Sequence, residues 1–220
     1  ISKETIYKNM KIKNLLFDFG EVLVTLSREK AVAAFRALGA EIADEIVPAS
    51  WSFDGMFRDF ENGKITEREF FDNLNFSLGL QATDEELRAA WNAIIQDIPL
   101  YKLDLLLGLR KNYSVYMVSN TNKIHMDYTK EHLFKDGGHT IDDFFDKLYL
   151  SYEIGASKPE KAFFDYVIKD AGLKPEETLY LDDSPANIEA GWEMGFRVCP
   201  VSPLDDLDKL VEACLHTNQK

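Results

Sequence analysis

Residues 12–24 read IKNLLFDFGEVLV, a short apolar run closed by Asp18 and followed at once by Phe19 and Gly20. Ile12, Leu15, Leu16 and Phe17 form a buried strand, which presents Asp18 where the strand stops. A carboxylate at a strand end is a candidate nucleophile or metal ligand, although an aspartate there also serves simply as a turn residue. Three later segments share that design. Val115 to Val118 runs into Ser119 and Asn120, Lys158 and Pro159 open a helical stretch, and Leu179 to Leu181 runs into Asp182 and Asp183. Together they place a hydroxyl, an amine and three carboxylates at strand ends and at one helix start.

Between these segments the pattern sorts into two regions. Ser27 caps a helix whose apolar stripe is Ala31, Ala34, Phe35 and Leu38, with Gly39 as its stop. Thr66 to Glu69 and Thr83 to Glu86 are capping boxes, the first with Ile65 and Phe70 spaced as a hydrophobic staple. Residues 27–102 therefore read as helical. From Leu103 onward strands and helices alternate: strands at 115–118, 147–150, 178–181 and 196–199, and helices ending near Lys111, beginning at Asn122, and spanning 160–170 and 185–194. Alternation of this kind implies a parallel sheet covered on both faces. The expected fold is a doubly wound, Rossmann-like α/β core made of residues 10–26 and 103–220, interrupted by a helical cap over 27–102. In such sheets the ligand crevice lies beyond the strand ends at a topological switch point, where Asp18, Ser119 and Asp183 can converge.

Composition narrows the partners. The 220 residues carry a formal net charge of −13, with 45% hydrophobic and 29% charged residues, which argues for a globular protein and against a nucleic-acid partner. No apolar run reaches the roughly 18 residues needed to span a bilayer. The opening ISKETIYKNM has no signal-peptide core, and residues 1–9 read as a ragged extension. Cys199 and Cys214 show no C-x-x-C spacing, so neither a disulfide framework nor a zinc site is suggested and a reducing cytoplasm is the natural compartment.

Two facing carboxylates, Asp18 and Asp183, repel unless a cation lies between them. Mg²⁺ suits an all-oxygen site, and the carbonyl of Gly20 could complete its shell. Ser119 and Lys158 offer the hydrogen bond and positive charge that a phosphate dianion needs, and Asp18 could then attack phosphorus to give an aspartyl-phosphate.

The segments FDFGEVL, VSNTN, KP and LDDSPAN resemble, in order, the four motifs of the haloacid dehalogenase superfamily of hydrolases, which is mostly phosphatases. The helical insertion resembles its first type of cap, the C1 cap of subfamily IA. The resemblance implies Asp18 as nucleophile and metal ligand, Gly20 and Asp183 as further Mg²⁺ ligands, Ser119 and Lys158 as holders of the phosphoryl group, and Asp182 as a supporting carboxylate. It also puts Asn120, Asn122, His125 and Asn187 on the substrate side, with Asn187 within reach of Lys158 or a metal-bound water. His125 is equally readable as a polar helix residue. Gly20 departs from the family pattern, because most phosphatases of the superfamily carry a second aspartate there as general acid and base. The run SNTNxxH from Ser119 to His125 and the D-x-G-x-V form of the first motif are similar to the branch of bacterial glucose-1-phosphate phosphatases. The expectation is a Mg²⁺-dependent phosphatase of a small phosphorylated metabolite, such as a sugar phosphate, that borrows its proton donor from the cap or from water. The alternatives are a metal-free haloacid dehalogenase and a phosphate-binding protein that lost turnover with its general acid. Glu21 is adjacent to Gly20, but strand-like alternation would turn it away from Asp18.

In the cap, Trp51, Phe53, Met56, Phe57 and Phe60 read as core before substrate wall, and Arg58 and Lys64 are cations that could reach a second substrate anion. Residues 135–140, with Gly137 and Gly138, read as a loop.

Overall fold

The computed structural model describes residues 11–47 and 55–216. The chain enters the sheet at β1 (Asn14–Phe17) and leaves it for helices α1 (Arg28–Ala37), α2 (Ala43–Ile46), α3 (Met56–Glu61), α4 (Glu67–Leu78), α5 (Asp84–Asn92) and α6 (Leu100–Leu109). It returns through β2 (Ser114–Ser119), α7 (Lys123–His132), α8 (Ile141–Phe144), β3 (Lys147–Leu150), α9 (Ser151–Ile154) and α10 (Lys161–Ala171). The last stretch is β4 (Thr178–Asp182), α11 (Pro185–Glu193), β5 (Arg197–Pro200) and α12 (Leu207–His216).

The local signals act as their chemistry requires. Ser27 accepts from Lys30 N at the start of α1, and both Thr66 and Thr83 close reciprocal capping boxes with Glu69 and Glu86. The segment after α7 is compact, with a 3₁₀ turn at Asp136–Gly138 followed by α8.

All five strands are parallel in the order β3-β2-β1-β4-β5. Side chains alternate between the two faces. Leu15, Phe17, Met117 and Leu181 join the larger core, and Leu16, Val118, Tyr149 and Tyr180 join a second core with Phe163, Phe164 and Phe196. β1 lies in the middle, and the chain order reverses on either side of it, so the ends of β1, β2 and β4 share one crevice.

The aromatic residues of α3 are core. Phe60 stacks on Phe70 at 4.2 Å between centroids, and Phe57 on Trp91 at 5.5 Å. Trp51 and Phe53 lie outside the described residues. Cys199 and Cys214 correct the expectation drawn from their spacing: they form a disulfide that ties α12 to β5. A 15-residue separation carries no motif, and only the return of α12 toward the sheet brings the two sulfurs together. Among the described residues, no helix is long and apolar enough to cross a membrane.

Candidate active site

Asp18 follows β1 directly, and its backbone N donates to Leu181 O at 2.9 Å, which locks the strand end against β4. Lys158, from the loop between α9 and α10, lies beneath it. The Lys158 ammonium is 1% exposed and donates to Asp18 Oδ1 (2.7 Å), Asp182 Oδ2 (2.7 Å) and Val118 O (2.9 Å), so its three protons are all used. Burial works against the charge, but Asp18 and Asp182 outweigh it and hold the ammonium above the ordinary lysine value. The geometry makes Lys158 a brace for Asp18.

Asp182 is fully buried. Besides Lys158 it accepts from Tyr180 Oη (2.5 Å), Ser184 N (2.9 Å) and Asn187 Nδ2 (3.0 Å). Asn187 thus spends its amide on Asp182 and makes no bond to Lys158. Asp183 points the other way, into the crevice. The ligand atoms of Asp18, Asp182 and Asp183 lie within 4.8 Å of one another, with Asp18 and Asp183 at hydrogen-bond range. Burial pushes the Asp18 carboxyl up to about 8 against the pull of Lys158, and burial with the neighbouring Asp182 raises Asp183. Three carboxylates share one ammonium, a charge imbalance that a divalent cation between Asp18 and Asp183 would correct. The donor set therefore fits Mg²⁺. Gly20 O already accepts from Val22 N at 2.7 Å and has its second lone pair left for such an ion.

These groups line a cavity of about 460 Å³. Asp18, Gly20, Ser119, Asn120, His125, Lys158, Asp183 and Asn187 border it, with Leu26, Ile94, Ile95 and Pro159 as apolar walls. Ser119 is buried and, among the described residues, has only a 3.5 Å contact to Asn120 O, so its hydroxyl is available to a ligand. Asn120 is engaged at both ends: Oδ1 accepts from Lys158 N and Nδ2 donates to Lys158 O, each at 2.8 Å. Asn122 is fully buried away from the cavity. It caps α7 through His125 N and bonds His125 Nδ1 at 3.2 Å. His125 Nε2 meets Trp91 O at 3.1 Å, and its ring stacks on Trp91. A carbonyl can only accept, so Nε2 carries the proton, Nδ1 accepts from Asn122, and burial lowers the imidazole to about 4.

Arg58 and Lys64 are outside the cavity, paired with Glu160 at 2.6 Å and Asp59 at 3.6 Å. Glu21 also lines it, on a turn where a continuing strand is expected. The chain turns after Asp18, Glu21 takes φ 58°, and its carboxylate accepts from Leu26 N at 3.0 Å. The sequence reading also missed Glu61, a buried carboxyl at the end of α3 that borders the same cavity. Its one signal was an acidic residue ahead of Asn62-Gly63 in an aromatic helix.

Residues 12–195 match the sequence model of the haloacid dehalogenase-like hydrolases. The chain is 43% identical over 186 residues to a D-ribitol-5-phosphate phosphatase of Bacteroides thetaiotaomicron, covering 84% of this chain and 90% of that protein. A crystal structure of a haloacid dehalogenase family enzyme from Bacteroides thetaiotaomicron, in complex with magnesium and inorganic phosphate, superposes with a TM-score of 0.86 at 40% identity. That superposition covers 90% of this chain and 98% of the other. The structure of a predicted haloacid dehalogenase-like family hydrolase from Porphyromonas gingivalis gives 0.85 at 33% identity, covering 93% and 98%. With three of the motifs at the ends of β1, β2 and β4, the Lys158 motif in the loop between α9 and α10, and a family match over most of its length, the chain belongs to the haloacid dehalogenase-like hydrolases.

Proposed function

We propose that the protein is a Mg²⁺-dependent phosphatase of small sugar or polyol phosphates, working through an aspartyl-phosphate. The observation that carries this reading is the Lys158 ammonium fixed between Asp18 and Asp182 while Asp183 faces Asp18 across the crevice. Ser119 donates to a phosphoryl oxygen, and Asp18, oriented by Lys158, attacks phosphorus in line. Bound Mg²⁺, held by Asp18, Asp183 and Gly20 O, supplies charge neutralisation for the phosphoryl oxygens. Asn120 and Asn187 position Lys158 and Asp182, and Asn122 positions His125 against Trp91. The helices between β1 and β2, residues 27–102, act as a cap whose inner wall includes Ile94 and Ile95. The similarity to a D-ribitol-5-phosphate phosphatase supports a polyol phosphate as substrate.

We place the enzyme in the cytoplasm with its phosphorylated substrate. Against that compartment stands the Cys199–Cys214 disulfide, a bond that persists in oxidising surroundings.

The test is phosphate release from D-ribitol 5-phosphate and from glucose 1-phosphate, with Mg²⁺ or chelator, by the wild type and by Asp18→Asn. Metal-dependent release abolished by the substitution is expected. Metal-independent halide release from a 2-haloacid would favour the dehalogenase chemistry, and no turnover on a wide phosphate panel would make the protein a phosphate binder.

A further inference from the structure

Gly20 leaves the core without the usual proton donor, and the space beside it is filled. A Cβ on Gly20 would lie 3.0 Å from Leu26 Cδ1. The titratable groups that border the cavity are Asp18, Glu21, Glu61, His125, Lys158 and Asp183. Asp18, Lys158 and Asp183 are committed to the nucleophile and the cation. His125 has both ring nitrogens bonded, to Asn122 and Trp91, and stays neutral. Glu21 is raised by burial, but its Oε1 is tied to Leu26 N, a donor that pulls back toward the carboxylate and holds the side chain on the turn.

Glu61 is different. It is 7% exposed, and its carboxyl makes no hydrogen bond or ion pair among the described residues. Its backbone, by contrast, is pinned to the core. Ser151 Oγ donates to Glu61 O at 2.6 Å and shares that proton with Thr121 O, while Ser157 Oγ bonds Asn62 Oδ1. Gly63, at φ +64°, passes so close that a Cβ would lie 2.3 Å from Tyr152 O. Arg58 adds an ion pair to Glu160 of the core. The end of α3 is thus clamped over the crevice with one uncommitted carboxyl at its edge.

We propose that Glu61 is the general acid and base of this site, in place of the group that Gly20 lacks. The assignment rests on the phosphatase reading above. As the Asp18 carboxylate bonds to phosphorus and the bridging P–O bond breaks, Glu61 gives its proton to the departing oxygen, which leaves as an alcohol. The resulting Glu61 carboxylate takes a proton from water as the water oxygen attacks the aspartyl-phosphate. The P–O bond to Asp18 breaks, inorganic phosphate leaves, and both side chains return to their starting states. Burial without a partner pushes the Glu61 carboxyl up to about 8, so the acid is present near neutrality.

The experiment compares kcat/KM for D-ribitol 5-phosphate, whose alkoxide needs a proton, with that for p-nitrophenyl phosphate, whose leaving group does not. Glu61→Gln is expected to lower the first by about 10²- to 10⁴-fold and leave the second nearly unchanged. It should also remove the alkaline fall of the polyol pH profile. With the aryl ester it should give a burst of nitrophenolate, because the second step has lost its base. Glu61→Asp, which keeps the acid, should retain the alkaline fall at reduced rate and separates this role from a folding defect. Equal losses on both esters, or none on either, would overturn the role of Glu61 while leaving the phosphatase intact. No phosphate release from either ester by the wild type would overturn the phosphatase reading and this assignment with it.

Discussion

Lys158 Nζ lies 2.7 Å from Asp18 Oδ1 across 140 residues of sequence, and the same ammonium lies 2.7 Å from Asp182 Oδ2. A buried pair of this kind costs most when one partner is removed alone, about 3–5 kcal/mol, because the other charge stays in a dry site. Lys158→Met is expected to lose that order of stability in a denaturant titration and to lose phosphate release. Lys158→Met combined with Asp182→Leu should recover part of the stability and none of the turnover, since Asp18 remains without its brace.

Ser119 offers the contrasting case. Among the described residues its hydroxyl has only a 3.5 Å contact, so Ser119→Ala removes little that the fold uses and should shift stability by less than about 1 kcal/mol. A donor aimed at charge that develops in the transition state is worth roughly 10²- to 10³-fold in rate. Steady-state kinetics of the alanine variant should therefore show a loss of that size at nearly unchanged melting temperature.

The fold was legible because its signals are local. Alternating strands and helices from Leu103 onward, caps at Ser27, Thr66 and Thr83, and four motifs at three strand ends and one helix start each report their own element within a few residues. The convergence of Asp18, Ser119 and Asp183 then follows from parallel topology. What stayed hidden depends on distance in the chain. Whether Asn187 reaches Lys158 or Asp182 is a matter of one bond in a crowded pocket, and the helix that carries it settles on Asp182. Glu21 follows Asp18 on a turn and not on a strand, which aims its carboxylate at Leu26 N. Glu61 is only faintly marked in sequence, by its place ahead of Asn62-Gly63, and that signal does not say that it is buried beside the cavity.

Gly191 faces the ring of Tyr180, whose hydroxyl bonds Asp182. A Cβ there would lie 2.5 Å from Tyr180 Cδ1. Gly191→Ala must displace that ring, and overpacking of this kind costs about 1–3 kcal/mol. Thermal melting should register the loss, and turnover should fall as well because Tyr180 helps to hold the carboxylate that braces Lys158.

Glu61 and His125 give opposite pH dependences of stability. The folded protein holds the Glu61 carboxyl at about 8, above its ordinary 4.5, so its stabilising balance is complete below about pH 4.5 and lost as pH rises toward 8. His125 is lowered from 6.5 to about 4, so the native state loses stability as pH falls from about 6.5 to 4. Glutamine mimics the neutral acid at any pH. Melting of Glu61→Gln should match the wild type near pH 5 and exceed it near pH 9, by up to roughly 5 kcal/mol at 1.36 kcal/mol per pH unit. A variant no more stable than the wild type at pH 9 would show that the Glu61 carboxylate is not isolated.

Magnesium should stabilise the native state, because the unfolded chain has no equivalent of the Asp18 and Asp183 pair, whose ligand atoms fall within a 4.8 Å cluster. A ligand at 100 times its dissociation constant adds about 2.7 kcal/mol. Thermal unfolding with and without Mg²⁺ should show an upward shift that vanishes in Asp183→Asn. That variant should also unfold at a higher temperature than the wild type when chelator is present, since it removes one of three crowded carboxylates whose repulsion only Lys158 offsets. If Asp183→Asn instead melts lower than the wild type under chelator, Asp183 contributes hydrogen bonds to the folded site that outweigh its charge, and the cation is not what holds the crevice together.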